Sequence, residues 1–103
     1  MTRQQRESAM AEALEHVGNV PPDIVKTLEQ YVVDGRPTGE FLVAVLSNDL
    51  VEAVTRADAD NLAALLPIVQ FVYCNLPAAC WGRSQIVADW IAAIQSHEME
   101  AQP

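Results

Sequence analysis

The sequence predicts an all-α fold, a compact irregular bundle of five to six helices around one core. Three observations carry this reading. Apolar residues recur at helical spacing along most of the chain. Acidic or hydroxyl residues stand where helices would start, and glycine or proline where they would stop. No stretch alternates with period two between turn residues, so no strand is expected. Half of the 103 residues are apolar, enough to bury a core without metal or disulfide support.

Residues 3 to 17 read as a first helix, with Met10, Leu14 and Val17 on one side and a polar leading turn that would fray. Gly18, Asn19, Pro21 and Pro22 break the chain. Pro22 opens a second helix to about Val33, because a first helical turn does not need the missing N–H. Its stripe is Ile24, Val25, Leu28, Tyr31 and Val32, and Gly35 is its left-handed cap. Thr38 is the expected N-cap of a third helix carrying Phe41, Leu42, Val45 and Leu46.

Asp49, three residues before Glu52, starts a short fourth helix expected to bury Leu50, Ala53 and Val54. The fifth, from Ala59 to Asn75, is the most apolar. Leu62, Leu65, Leu66, Val69, Val72 and Tyr73 repeat along it, with Ile68 and Phe71 widening the face. Such breadth predicts a central helix packed on more than one side, kinked at Pro67 or divided there into two segments. Ser84 then caps a last helix with Ile86, Val87, Trp90, Ile91 and Ile94. The expected organisation is a single domain: a frayed N-terminal helix and break over 1–20, a helical core over 21–96 and a tail over 97–103.

Fourteen acids against six bases give a formal charge of −8. Such a surface repels phosphate backbones, so direct nucleic-acid binding is not expected, and a basic protein or ribonucleoprotein surface is the complementary partner. The polar start MTRQQRESAM lacks the apolar stretch of a signal peptide, and no run is long enough to span a bilayer. These features predict a cytoplasmic protein without membrane contact.

No residue pattern demands chemistry. Cys74 and Cys80 are spaced unlike a zinc knuckle, and His16 and His97 have no paired ligand nearby, so neither metal nor cofactor is expected. They read as buried or half-buried structural thiols. Cys80, beside Trp81 and near Arg83, is the one nucleophile that could be named, and a thiol enzyme built on it is a minor alternative. Asp49, Glu52, Asp58 and Asp60 fall where helix starts favour acids. Trp81, between Pro77 and Gly82, must either plug the core or be displayed as a binding anchor.

The segment GRPTGEFLVAVLSNDLVEAVTRADADN, continuing into QFVYCNLPAACWG, resembles a group of small accessory proteins of bacteriophages, prophages and other mobile elements. Gly35 to Gly39, Phe41-Leu42, Asn48-Asp49-Leu50, Arg56-Ala57-Asp58 and Cys80-Trp81-Gly82 carry the resemblance, which spans residues 24 to 91. It implies a bacterial host cell and no catalytic residues. Small acidic proteins in that setting include anti-CRISPR inhibitors. The expected function is therefore non-enzymatic: binding and inhibiting a host defence complex by masking its basic nucleic-acid-binding surface. Trp81, Tyr73, Glu52, Asp58, Asp60 and Asp89 are the candidate contacts. A homodimeric accessory or regulatory protein is the alternative, which an exposed apolar seam on the fifth or last helix would favour.

Overall fold

A computed structural model describes the backbone of residues 1–101 and the side chains of residues 1–97. It is all-helical: seven α-helices and one short 3-10 turn, with no strand among the described residues. That is one or two helices more than expected, because the fifth divides and every other break is short.

Helix α1 is Arg3–Leu14. Thr2 and Gln5 close a capping box, the Thr2 hydroxyl accepting from the Gln5 N–H and the Gln5 side chain from the Thr2 N–H. The polar first turn is thus held by its cap and by Arg6, which is buried against the carbonyl of Val33. Helix α2, Pro22–Asp34, ends as predicted at Gly35 in the left-handed conformation, φ +67°. The Gly35 N–H donates to the Tyr31 carbonyl. A Cβ here would lie 2.9 Å from Cβ of Ile94, so close helix packing requires glycine as much as the turn does.

Helix α3 is Glu40–Leu46. Its N-cap is Gly39, not Thr38: the position adopts φ +92°, which a β-branched residue resists. The chain then reverses through Asn48, at φ +59°, a conformation asparagine tolerates better than most residues. Helix α4, Leu50–Arg56, is capped by Asp49, and α5, Ala59–Ala63, by Asp58, each carboxylate accepting a backbone N–H three residues on.

The long fifth helix resolves into α5 and α6, Leu65–Asn75, joined through Ala64. The interruption falls three residues before Pro67 instead of at it. Pro67 is then the third residue of α6, within the first turn, where a missing N–H breaks no helical bond. The 3-10 turn Ala78–Cys80 follows, and α7 runs Ser84–Ala101. The helix therefore continues beyond residue 96, where a tail was expected to start; Gln102 and Pro103 lie outside the described residues.

The core is drawn from every helix except α5. At its centre Tyr31 is fully buried and donates its hydroxyl to the Cys80 carbonyl at 2.7 Å. Trp90 donates its indole N–H to the Tyr31 carbonyl at 3.2 Å. The Gly82 N–H reaches the Leu46 carbonyl at 2.7 Å. These bonds tie α2, α3, the 3-10 turn and α7 together, while Leu28, Ile68 and Phe71 fill the space between them. Each such side chain contributes roughly 1.5–3 kcal/mol through burial.

Candidate interaction surface

Helix α4 buries one residue, Ala53. Leu50 and Val54, expected in the core, are exposed, and Val51 is 77% exposed. Seven residues cannot hold a helix in water on their own. This one is held by its Asp49 cap and by Ala53 packed in the core beneath it. It is a displayed helix.

Its apolar side continues onto the neighbouring elements. A small cleft lined by Leu50 and Ala53 of α4 and by Leu65 and Val69 of α6 joins the two helices. Along α5 and α6 the residues Leu62, Leu66, Val69 and Tyr73 follow one another at helical spacing, and all four are exposed, Leu66 at 66% and Tyr73 at 70%. The expected central helix is therefore corrected. Only Ile68, Phe71 and Val72 of α6 are buried; Leu65 is half-buried against the core, and Leu62, Leu66, Val69 and Tyr73 are exposed. Exposed apolar residues scattered singly are ordinary, but here seven lie exposed on three consecutive helices.

Tyr73 meets Trp81 edge-to-face, ring centroids 5.6 Å apart. Trp81 is half-buried against the core, so it neither plugs the core fully nor stands free. Its indole N–H is buried and donates to no acceptor among the described residues. The pair ends the apolar stripe with two aromatic rings, one of them carrying an unused donor. Trp90, by contrast, sits in the core with its N–H engaged.

The predicted acidic contacts do not gather at one point. Asp58 is spent on capping α5, and Asp60 stands exposed in the same first turn. Glu52 pairs with Arg56, which also reaches Glu40 at 3.0 Å. Asp89 lies on α7 and accepts from Gln85. Among the described residues no group of three acids, histidines or cysteines could hold a metal ion. Asp49 lines the cleft with Leu50 and Val69, and Asp58 and Asp60 stand exposed where α5 begins, next along the chain to the stripe. On the other side of α4, Glu40, Asp49, Glu52 and Arg56 rim a cavity of about 460 Å³ floored by Val43 and Ala44, with the Ser47 hydroxyl buried there without a partner.

The cysteines differ from each other. Cys74 is exposed, against the expectation of a buried or half-buried thiol, and Cys80 is buried. Burial pushes the Cys80 thiol up to about 12, the opposite of what an activated nucleophile requires. Burial, and secondarily the neighbouring Cys80, also raise the Tyr31 phenol.

Sequence reasoning missed two groups. One is the exposed half of the α5–α6 stripe, for which the only signal was that the stripe is too broad for one buried face. The other is Arg6, a buried cation in a turn that reads as solvated.

The geometry defines an all-helical protein with a displayed apolar helix surface. Compared with known proteins, the chain matches no family model, no curated protein and no solved structure. No helix among the described residues is long and apolar enough to cross a membrane.

Proposed function

We propose that this chain is a non-enzymatic protein-binding module that docks through the apolar face of α4, α5 and α6. The exposure of Leu50, Val51, Leu62, Leu66 and Tyr73 on one run of helices is the observation that carries it. The acids beside that face and the charge of −8 favour a partner with an apolar patch inside a basic rim. Surfaces that receive nucleic acid have such rims. The resemblance to mobile-element proteins points to a bacterial defence complex as the target and to inhibition of the anti-CRISPR type as the outcome.

The test uses purified CRISPR effector ribonucleoproteins and measures their DNA binding as the protein is added. Inhibition by the wild type, weakened by salt and lost in Val51→Asp/Leu66→Asp, is the expected result. Inhibition indifferent to those substitutions would sink the proposed face.

The exposed seam also favours a second reading, a homodimer without inhibitory role. Two copies related by a twofold axis could bury Leu66 and Val69 against each other, with the acidic end of one stripe beside the neutral Tyr73 end of the other. Light scattering separates the two: a concentration-dependent dimer that Leu66→Asp converts to monomer supports this reading over the first.

A further inference from the structure

Arg6 is 4% exposed, the one charged residue buried among the described residues. Its Nε donates to the Val33 carbonyl at 2.9 Å and its Nη1 to the Met1 carbonyl at 3.0 Å. Both acceptors are neutral, and none of the ion pairs among the described residues includes Arg6. A guanidinium has five donors, so Nη2 and the second N–H of Nη1 have no acceptor among the described residues. A buried charge without a counter-ion is costly, and paired burial is the rule.

The same side chain lines a cleft of about 340 Å³ between the start of α1 and the later turns of α7. Its other lining includes Arg3, Thr2, His97, Trp90 and Ile94. Among the described residues no acidic side chain lines it, in a chain with fourteen acids and six bases. Two of those six bases meet there, Arg3 already paired with Glu7 and Asp34 and Arg6 in none of the ion pairs among the described residues. The Trp90 N–H is already taken by the Tyr31 carbonyl, so Trp90 offers the cleft only its apolar ring.

We infer that this cleft binds a small organic carboxylate with a planar apolar body. The end-on pair of N–H groups left on Arg6 matches the two oxygens of one carboxylate, while Trp90 and Ile94 pack the body. Thr2 and His97 stand at the mouth as further polar contacts. The cleft lies on α1 and α7, apart from the α4–α6 face, so the inference does not depend on the proposed function.

Titration of the isotope-labelled full chain with sodium benzoate tests this, sodium chloride being the ionic-strength control and inorganic phosphate the second anion. Saturable NMR shifts at the Arg6 Nε–H and the Trp90 indole N–H are expected, with a dissociation constant on the order of a millimolar and weaker binding of phosphate. Arg6→Lys keeps the charge but not the fork and should weaken benzoate about tenfold. His97→Ala changes an exposed residue, leaves the fold intact and should weaken it about threefold. Shifts that fail to saturate, phosphate bound as tightly as benzoate, or a folded Arg6→Lys with unchanged affinity would each overturn the assignment. So would benzoate binding found only in Glu98→Gln/Glu100→Gln, because the chain's own carboxylates would then be the occupants.

Discussion

On α2 the apolar residues Ile24, Leu28, Tyr31 and Val32 are buried, whereas on α5 and α6 the residues Leu62, Leu66, Val69 and Tyr73, at similar helical spacing, face solvent. The difference lies in what surrounds each helix. Helix α2 packs on α1 and α7, and its Tyr31 and Gly35 make bonds and contacts that fit only that arrangement. Helix α6 turns Ile68, Phe71 and Val72 inward, while Leu66, Val69 and Tyr73 on its other side stay exposed. Helical periodicity identifies residues that share a face; it does not say whether the same chain supplies the partner for it.

The largest contrast is therefore energetic and can be broken within α6 itself. Phe71→Ala removes a side chain 2% exposed in the core and should cost about 3–5 kcal/mol of stability, read from denaturant unfolding. A loss under about 1 kcal/mol would mean that the inward face of α6 is as loosely covered as the outward one.

Alkaline pH probes the α2 side of the comparison. Cys80 is held at about 12 against an ordinary value near 9.0, so the folded state keeps a proton that the unfolded chain releases. Stability is full below that ordinary value and falls as pH rises towards the folded one, by a few kcal/mol at most. The buried Tyr31 phenol, raised as well, steepens the fall. Melting temperature should decline from about pH 9 upwards, and Cys80→Ala should flatten the decline. A profile level to pH 11 would show that the Tyr31–Cys80 region opens to water.

What could be read from the residues divides along the same line. The core of α2, α3 and α7 was legible because its stripes are narrow, and Gly35 after α2 and Asp49 after α3 carry chemistry that fixes the local backbone. Asp58 as a cap was legible for the same reason. The orientation of α4 was not: Leu50, Ala53 and Val54 are equally apolar by type, and which of them turns inward depends on how α4 packs against α3. Nor was the break at Ala64, an alanine with no stop signal of its own. The depth of Arg6 escaped because its partners are the carbonyls of Val33 and Met1, and backbone acceptors leave no mark in a sequence. Of the candidate contacts, Tyr73 lies on the displayed face with Trp81 against it, but their meeting depends on the 3-10 turn folding back over α6.

A smaller effect is expected at Gly35, which packs against Ile94 of α7. Gly35→Ala would need φ +67° from a residue with a Cβ and place that atom 2.9 Å from Ile94 Cβ. A loss of about 2 kcal/mol is expected, combining backbone strain with displacement of α7. Ile94→Ala removes the Cγ2 and Cδ1 that such a Cβ would meet at 3.0 and 3.4 Å, so it should cost less in the Gly35→Ala background than alone. Full independence of the two changes would show that strain in the turn, not packing, dominates.

The smallest effect is the one that sharpens the comparison most. Leu66→Ala deletes a large apolar side chain two-thirds exposed, and by burial alone should change stability by no more than about 0.5 kcal/mol. Its neighbour two residues along, Ile68, is fully buried, so Ile68→Ala in the same helix should cost several times more. If Leu66→Ala costs little and yet lowers association with a basic partner or with a second copy tenfold or more, the exposed stripe is a binding surface kept at the expense of solubility. If it costs as much as Ile68→Ala at high dilution, where association is absent, the stripe is covered within the monomer. The contrast between α2 and α6 would then be one of degree only.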